Sequence, residues 1–487
     1  MDYSNNAIIG RKIELNILQT ALNAKQAEFI AVYGRRRVGK TYLISSFFKD
    51  KGVYFEFTGI KDANRKTHLK RFAKILSTTF LQNIMPSIPT DWFAALDMLL
   101  EQVETVPKDK KVILFFDELP WIASAKSNFM PALDNLWNLY FSRMQNVILV
   151  VCGSAASWMI DNIISNNGGL YGRLTRQMHL MPFTLSETKD FLIYKKIDLE
   201  HKQIIELYMA MGGIPKYLSL VEQGKSAMQT IDQQFFTTTG SLWNEFNNLY
   251  SSLFNNYEQH VKIVRALAQS HSGLTRKDLL DKAGVVTGGS ASKVLRELEK
   301  SGFITHLDCY PNNNKLARYR LIDQYSLFYL KWVEPMERSF NTLNIKNYWM
   351  QQANTNSWII WCGYAFENIC LLHADKIQSA LGLSGILVKQ HTWHSKGNAA
   401  QSGAQIDLVL DRADNCINLC ECKYYNVKFE MSKKYGEELN RKKEIFRTQT
   451  NCKKSLFTTL ITTYGVADNM STSEYIQNQV TMDCFFV

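Results

Sequence analysis

The sequence of 487 residues lacks the features that mark membrane-spanning and secreted chains. No uninterrupted apolar run approaches the roughly 18 residues that a membrane-spanning helix needs. Its first residues contain no apolar run behind a basic start, so we expect no signal peptide. Low-complexity segments and internal repeats do not stand out either. We therefore expect a globular protein with no membrane partner, and a length of this kind suits several domains.

Cysteine is scarce, with nine residues scattered along the chain and odd in number. This usage fits a reducing cytoplasm rather than a disulfide framework, so we expect a cytoplasmic protein. The one tight group contains Cys416, Cys420 and Cys422. A zinc site would need a second pair at a matching distance, and none is nearby, so we do not expect these thiols to bind metal.

Acidic residues are fewer than basic ones, with 45 Asp and Glu against 56 Lys and Arg, which gives a net charge of +11. A basic surface favours polyanionic partners because binding releases their condensed counterions. Many basic proteins bind no nucleic acid, so the charge balance alone does not identify DNA as the partner.

A phosphate-binding pattern follows the apolar run from Glu28 to Tyr33, which has strand character. The run leads into GRRRVGKT and then a helical segment, which is the context that the GxxxxGK[ST] motif requires. Glycines let backbone N–H groups fold around phosphates at a helix N-terminus. We expect Lys40 to reach the β- and γ-phosphates of ATP and the Thr41 hydroxyl to ligate Mg²⁺. The predicted nucleotide-binding residues of this loop are Gly34, Arg35, Arg36, Arg37, Val38, Gly39, Lys40 and Thr41. The alternative is a simple glycine-rich turn.

Two further apolar runs end in polar residues. Lys111 to Phe116 is typical of a strand in a parallel sheet and precedes Asp117 and Glu118. We expect Asp117 to hold Mg²⁺ and Glu118 to polarise the attacking water. The run NVILVV leads to Ser154, which either senses the γ-phosphate or only forms a turn.

Two arginines, Arg173 and Arg176, precede the next apolar segment. Phosphoryl transfer often uses an arginine to stabilise charge on the transferred group. We predict this catalytic role for Arg173, with a solvated surface charge as the alternative for either residue. An arginine supplied by a neighbouring copy would imply a homo-oligomer, which the sequence does not decide.

These motifs together resemble the archaeal-type ATPase family, which belongs to the AAA+-related STAND class of P-loop NTPases. The resemblance covers about the first 230 residues. It rests on Ile9-Gly10-Arg11 with Glu14, GRRRVGKT, LFFDE, CGS, Tyr171-Gly172-Arg173 and Gly212-Gly213-Ile214-Pro215. It implies ATP hydrolysis by a doubly wound parallel-sheet core over residues 1–185, and a helical lid over 186–250 in which Pro215 approaches the nucleotide. From the residues alone, the two glycines also stop the preceding helix.

A winged helix-turn-helix is predicted for residues 251–340. Three short helices, the second capped by Thr275 and closed at Gly284, precede two strands. The pattern resembles that of many bacterial regulators. In such folds the helix around residues 290–300 would enter a DNA major groove, with Lys293 and Arg296 on its outer face. The alternative is a packing module, since Glu297 and Glu299 dilute the charge.

A last α/β domain is predicted for residues 341–487, after a polar and aromatic bridge that begins at Phe340. A single helix from 361 to 377 carries Glu367. Two strands carry Asp407 and the Glu421-x-Lys423 pair, and strand alternation puts Glu421 and Lys423 on one face. Carboxylate oxygens suit Mg²⁺, so Asp407 and Glu421 are predicted metal ligands that Glu367 completes. Lys423 would orient or help deprotonate a water.

This arrangement resembles the PD-(D/E)XK nuclease superfamily and the domain that often trails archaeal-type ATPases. The resemblance implies a restriction-endonuclease-like fold and Mg²⁺-dependent DNA cleavage, with Glu421 and Lys423 in catalytic roles. The chain departs from the pattern in having Gln405-Ile406 instead of a proline before Asp407. The alternative is a solvated strand face, because exposed strands often alternate Glu and Lys. A basic segment with Arg441-Lys442-Lys443 either follows a DNA backbone or is a soluble face.

The combined prediction is an ATP-driven switch that associates with DNA and cleaves it with Mg²⁺. One alternative is a regulatory or signalling ATPase whose C-terminal domains only bind partners. Another is an ATP-dependent scaffold with no role in nucleic-acid binding.

Overall fold

The computed structural model describes residues 7–124, 126–165, 172–254, 256–311, 313–337, 348–353, 355–395, 397 and 403–487, without the side chains of 313–316. Tyr171 of the arginine-containing motif and the predicted boundary at Phe340 lie outside these residues. The chain divides into two compact units, Met1–Pro182 and Phe183–Val487. The finer division into four domains stays a prediction.

The first unit alternates strands and helices around a parallel sheet. Its described helices are α1 (Lys12–Asn23), α2 (Lys40–Phe48), α3 (Arg65–Phe80), α4 (Trp92–Thr105), α5 (Leu119–Ile122), α6 (Phe129–Leu139) and α7 (Ala156–Met159). Its described strands are β1 (Glu28–Tyr33), β2 (Val53–Thr58), β3 (Val112–Asp117), β4 (Val147–Gly153) and β5 (Arg176–His179). They pair in parallel in the order β2-β3-β4-β1-β5. The predicted parallel α/β fold of this unit is confirmed.

The central strands β3 and β4 are buried along their whole length, as their continuous apolar runs predict. On one face, Phe72, Trp92 and Phe129 from the flanking helices pack into the same core as Phe57 and Phe116 of the sheet. Burial on both faces fixes the strands, and parallel pairing brings the carboxyl ends of β1, β4 and β3 to one edge. Ligands of open α/β sheets bind at that edge.

The second unit begins with helices and ends in a mixed sheet. Its described helices up to the hairpin are α8 (Leu185–Tyr194), α9 (His201–Met211), α10 (Pro215–Leu218), α11 (Ala227–Phe235), α12 (Glu245–Leu253), α13 (Glu258–Ala268), α14 (Arg276–Ala283) and α15 (Gly289–Lys300). Those that follow are α16 (Gln324–Phe328), α17 (Glu334–Glu337), α18 (Tyr348–Gln352), α19 (Asn356–Leu372), α20 (Ala374–Ala380), α21 (Lys433–Thr450) and α22 (Met470–Tyr475).

The described strands of the second unit are β6 (Leu274–Thr275), β7 (Ile304–Cys309), β8 (Asn313–Leu321), β9 (Val388–Ser395), β10 (Ala404–Arg412), β11 (Cys416–Lys423), β12 (Ser455–Thr462) and β13 (Asn478–Thr481). They form one sheet in the order β13-β12-β11-β10-β9-β7-β8-β6. Strands β9, β10 and β11 are antiparallel neighbours, whereas β12 runs parallel to β11.

The hairpin β7–β8 is joined to the C-terminal strands. Cys309 of β7 pairs with Thr392 of β9, and the Tyr310 N–H donates to the Thr392 carbonyl at 3.1 Å. The Tyr310 ring lies 5.1 Å from that of Phe446 on α21. The end of this hairpin is therefore packed against the last part of the chain.

The single helix predicted from 361 to 377 is wrong, because the structure divides it at His373. Helix α19 ends at Leu372 and α20 begins at Ala374. The Nε2 atom of His373 accepts a hydrogen bond from the Leu185 N–H at 3.2 Å, so a long-range contact holds this residue out of helical geometry.

A second difference concerns the strands that carry the acidic residues. The solvated strand face considered as an alternative is wrong for Glu421, which is 4% exposed. Asp407 is also buried, and the pairing of β10 with β9 shifts register between Ile406 and Val409. Helix α21 covers the face of β11 that the alternation pattern predicts to be polar, because its Lys442 contacts Glu421 and its Phe446 packs with Leu419. These carboxyl groups are therefore held in the interior.

The close approach at Gly213 gives a stability prediction. Gly213 and Gly284 have φ values of 63° and 62°, but a Cβ at 213 would lie 2.2 Å from the Phe183 carbonyl oxygen, whereas no described atom lies within 4 Å at 284. Gly284→Ala should cost about 1 kcal/mol for the left-handed backbone alone. Gly213→Ala should cost about 1–3 kcal/mol more because of the overlap.

Urea unfolding of the full chain compares the midpoint of each variant with that of the wild type. Equal midpoints for the two variants would show that the Gly213 contact with Phe183 does not restrict this position.

Candidate functional sites

The loop after β1 is shaped by a glycine that no other residue can replace. Gly34 has φ 144°, and a Cβ there would lie 2.3 Å from the Leu180 carbonyl oxygen. Gly39 has φ 92° and is the N-cap residue directly before α2. Between these glycines, Arg35 and Val38 are buried, and Arg36 and Arg37 are half-buried. The predicted strand, glycine-rich loop and helix are therefore found in that order.

Lys40 points into the curve of this loop. It is 5% exposed, and its Nζ donates to the carbonyl oxygens of Gly34 at 3.0 Å and Arg35 at 2.9 Å. The ammonium group therefore lies beside the backbone that forms the loop. An amine in this place is available to phosphate oxygens that the loop N–H groups bind.

Thr41 meets Asp117 at the carboxyl edge of the sheet. The Thr41 Oγ1 donates to Oδ2 of Asp117 at 2.7 Å, and Asp117 is 3% exposed. The other oxygen, Oδ1, accepts the Glu118 N–H at 2.9 Å. A hydroxyl and a carboxylate oxygen in contact are a donor set that fits Mg²⁺.

Glu118 is held by Ser154 from the end of the neighbouring strand. The Ser154 Oγ donates to Oε1 of Glu118 at 2.7 Å, and its N–H donates to Oε2 at 3.2 Å. Glu118 itself has φ 47°, a left-handed conformation that is uncommon for residues other than glycine. The two residues that the sequence places near the γ-phosphate therefore contact each other.

The sequence reasoning gave Arg11 no role beyond the motif that contains it. Its guanidinium NH2 donates to the Val38 carbonyl of the loop at 3.1 Å, and its NH1 lies 3.6 Å from Glu14. The Ile9-Gly10-Arg11 motif with Glu14 thus braces the loop from α1. The motif was the available signal, but the contact could not be read from it.

Arg176 and Arg173 lie at the opposite edge of the sheet from the loop. Arg176 forms an ion pair at 3.0 Å with Glu28, the first residue of β1, and the Thr175 N–H donates to Phe29 O at 3.0 Å. A strand of six residues is about 20 Å long, so this end of β1 is far from Gly34. Arg173 is exposed and precedes this contact. No contact between Arg173 and the loop is seen among the described residues, and its catalytic role stays a prediction.

Three acidic side chains of the second unit form what we call the carboxylate cluster: Glu367 on α19, Asp407 on β10 and Glu421 on β11. Burial and the Asp407 charge raise the pKa of Glu421 to about 7. Burial, and then the same Asp407 charge, raise the pKa of Glu367 well above its usual range. The structure thus brings together the three predicted carboxylates.

Two cations and a backbone amide bind the cluster. Lys442 Nζ lies 2.8 Å from both carboxylate oxygens of Glu421, and Arg320 from β8 lies 2.8 Å from Glu367. Asp407 Oδ2 accepts the Cys422 N–H at 3.0 Å. Sequence reasoning missed Arg320 and gave Lys442 only a place in a basic segment.

Lys423 does not make the contact with Glu421 that strand alternation suggests. Its Nζ lies 5.0 Å from the ring centroid of Tyr435 on α21. Lys442 instead supplies the cation that contacts Glu421. Pro215, predicted to approach the nucleotide, begins α10 in the second unit, and its role stays a prediction.

The ligand chemistry of the cluster fits Mg²⁺, because a divalent cation offsets the repulsion between neighbouring carboxylate oxygens. Its spacing is not that of a closed metal shell. Across the described ranges, no group of three or more His, Cys, Asp or Glu side chains is arranged to hold a metal ion. The described residues also include no helix that is both long and apolar enough to cross a membrane.

Residues 8–221 match a family described as an ATPase domain predominantly from Archaea. This segment contains the loop, Asp117, Glu118 and Ser154. The protein has an ATPase domain. ATP is thus its nucleotide and substrate, and the match ends before the hairpin and the carboxylate cluster.

Relatives of the chain extend beyond the ATPase domain. An uncharacterized protein of Methanocaldococcus jannaschii is 24% identical over 455 residues, which cover 90% of this chain and 92% of that protein. An uncharacterized ATP-binding protein of the same organism is 47% identical over 45 residues, or 9% of this chain and 76% of that protein.

A Walker-type ATPase of Pyrococcus abyssi has a similar structure. Its TM-score is 0.50 at 17% identity, and the alignment covers 66% of this chain and 96% of that one. At this identity the likeness shows a shared fold only. It agrees with the parallel sheet of the ATPase domain.

The raised pKa of Glu421 predicts how stability depends on pH. Because the folded protein binds this proton more tightly than the unfolded chain, its stabilising effect is lost as pH rises from about 4.5 to about 7. In a buffer with a chelator, the urea midpoint should fall less between pH 5 and 8 in Glu421→Gln than in the wild type.

Glu438→Gln is the matched control on α21. A hydrogen bond from Arg441 lowers the pKa of Glu438, so this group titrates below the tested range. Its variant should follow the wild type, and a Glu421→Gln curve with the wild-type slope would contradict the account.

Proposed function

We propose that the protein is an ATP-hydrolysing switch of the AAA+/STAND type that acts on DNA and cleaves it at the carboxylate cluster with Mg²⁺. The observation that carries the proposal is the convergence of partly buried Glu367 on α19 with buried Asp407 on β10 and buried Glu421 on β11, where their charges oppose one another. Such a cluster is costly for stability, so a catalytic role accounts for it better than a structural one.

In the ATPase domain, we assign the loop from Gly34 to Thr41 to the triphosphate and Thr41 with Asp117 to Mg²⁺. A bound Mg²⁺ neutralises charge that develops on the phosphates. Glu118 would orient the attacking water, and Ser154 would hold Glu118 in that position through the 2.7 Å contact. Water then adds to the γ-phosphorus while the bond from that phosphorus to the β-phosphate oxygen breaks. ADP leaves with that oxygen, the phosphate keeps the hydroxyl of the water, and the remaining proton is released to solvent.

Arg173 would act on the nucleotide of a neighbouring copy. This assignment is supported by the position of Arg173 in the chain, just before the residues that contact the start of β1. That edge of the sheet is away from the loop. An exposed arginine at that edge can stabilise charge only in a site that it reaches across an interface. The proposal therefore includes a homo-oligomer.

Mixing two inactive variants tests this assignment. Lys40→Ala should hydrolyse no ATP, and Arg173→Ala should lose at least about a hundredfold in kcat, because a missing arginine exposes the transition-state charge. An equimolar mixture should regain measurable hydrolysis, since the first variant supplies Arg173 to sites of the second.

Arg143→Ala, which changes another exposed arginine of the ATPase domain, is the matched control and should behave as the wild type. Full activity of Arg173→Ala alone, or a mixture no more active than its parts, would reject an arginine supplied between copies.

For DNA contact, we propose that α13, α14, α15 and the hairpin β7–β8 form a winged helix. Ser290, Lys293 and Arg296 are exposed on α15, and Glu297 is 2.8 Å from His260. Because the hairpin end is packed on β9 and Phe446, α15 would make the contact without a projecting wing. Binding of this kind must weaken as salt rises.

For cleavage, Asp407 and Glu421 would hold Mg²⁺ and Glu367 would complete the site. A Mg²⁺ ion held there would supply a polarised water and offset negative charge on the phosphate. The water oxygen forms a bond to phosphorus, one phosphorus–oxygen bond to a deoxyribose breaks, and the water proton passes to the departing oxygen. The order α19, α20, β9, β10, β11, α21, β12, with an antiparallel run and then a parallel strand, supports a restriction-endonuclease-like domain.

A regulatory ATPase whose C-terminal part only binds partners is the second candidate. It is favoured by the two contacts of Lys442, which occupy both oxygens of Glu421. Under this proposal the cluster is a charged structural core. The cytoplasmic location of the protein stays a prediction for either function.

Cleavage of duplex DNA separates the two candidates. The wild type should cut DNA with Mg²⁺ and not with a chelator, and Glu421→Ala should lose at least about a hundredfold in rate because a metal ligand is removed. Glu438→Ala on α21 should keep the wild-type rate. ATP should change cutting by the wild type but not by Lys40→Ala.

Absence of cutting under all these conditions, with ATP hydrolysis intact, would support the regulatory ATPase and overturn the nuclease.

A further inference from the structure

Lys442 lies on the packed face of α21. Leu439 and Phe446, one turn before and after it, are both buried. The Lys442 side chain is 18% exposed, and its Nζ donates to both Glu421 oxygens at 2.8 Å. Lys442 is therefore part of the carboxylate cluster and not of a solvated basic surface.

Lys423 has the position that the sequence pattern assigns to the site lysine, but its ammonium group lies over an aromatic ring of α21. Its ammonium lies 5.0 Å from the Tyr435 ring centroid. The ammonium of Lys442, in contrast, lies 2.8 Å from both carboxylate oxygens of Glu421. The cation closest to the Glu421 carboxylate is thus supplied by the helix.

Resting on the cleavage function proposed above, we infer that Lys442, and not Lys423, is the catalytic lysine that binds the scissile phosphodiester. An ammonium group has three N–H donors. Two of them bind Glu421, which leaves the third for a non-bridging oxygen of a phosphate beside that carboxylate. Lys442 transfers no proton; its N–H stabilises the negative charge that gathers on this oxygen as water adds to phosphorus.

The fold sets this lysine in place before any substrate binds. Ser432 caps α21 by accepting the Tyr435 N–H, and Ile445 with Phe446 packs in the core of the sheet. Donors fixed in advance cost no reorganisation during reaction, which is the main source of electrostatic catalysis. Exposed lysines on the same helix, such as Lys434, have no such support.

Cleavage kinetics of the full chain with Mg²⁺ and duplex DNA test the inference. Lys442→Met should lower kcat by at least about a hundredfold and change KM by less than about threefold, since the missing contact acts in the transition state. Lys442→Arg should recover at least about a tenth of the wild-type rate, because it keeps the charge. Lys423→Met should lose less than about tenfold, and Lys434→Met is the matched control with the wild-type rate.

Calorimetric measurement of Mn²⁺ binding without DNA tells whether Lys442 acts on the phosphate or only holds Glu421 in position. Lys442→Met should bind Mn²⁺ at least as tightly as the wild type, because the ammonium no longer competes for that carboxylate. Its melting temperature should fall, because Glu421 loses the partner that offsets its charge, so both proteins are titrated well below the melting temperature of the variant. Loss of Mn²⁺ binding in this variant would mean that Lys442 only positions Glu421, and would overturn the inference.

The failure of this inference is distinct from the failure of the nuclease proposal. A wild type that cuts DNA and loses activity in Lys423→Met, but not in Lys442→Met, overturns the choice of lysine alone. A wild type that never cuts DNA overturns the cleavage function, and this assignment with it.

Discussion

The hydrogen bond between Thr41 and Asp117 joins the loop after β1 to the end of β3, although β4 lies between these strands. It forms only if three parallel strands end at one edge and the loop turns back over β4. The same arrangement brings Ser154, at the end of β4, to Glu118. Both of these contacts thus follow from the strand order, which the buried apolar runs stabilise.

The second unit contains a different constraint, which is the repulsion between buried carboxylates. Removing charge from water costs several kcal/mol per ion unless partners offset it. Here Lys442 and Arg320 offset the charges of Glu421 and Glu367. Because Arg320 belongs to β8 and Lys442 to α21, the cluster connects the hairpin, the strands and the last long helix. Apolar residues of similar size would fill this space at lower cost.

The phosphate site could be predicted because its residues are close in sequence and have fixed backbone needs. The run EFIAVY gave strand β1 at Glu28–Tyr33 as expected, and the KVILFF and NVILVV runs gave β3 and β4 within two residues. Parallel pairing then followed from their continuous apolar character.

The remaining features depend on contacts between distant residues. The break at His373 results from a hydrogen bond to Leu185, and the place of Arg173 results from the pairing of β5 with β1. Strand alternation put Lys423 beside Glu421, but only the packing of α21 shows that Lys442 makes the contact. Periodicity predicts which face of an element is apolar and not which element covers it.

The measurement that tests the central claim most directly is the calorimetric titration of ATP into the wild type and Asp117→Asn, each with Mg²⁺ and with a chelator. If the loop holds the triphosphate and Asp117 with Thr41 holds its ion, Mg²⁺ should strengthen ATP binding in the wild type and have little effect in the variant. A wild type that shows no affinity for ATP in Mg²⁺ would contradict the account.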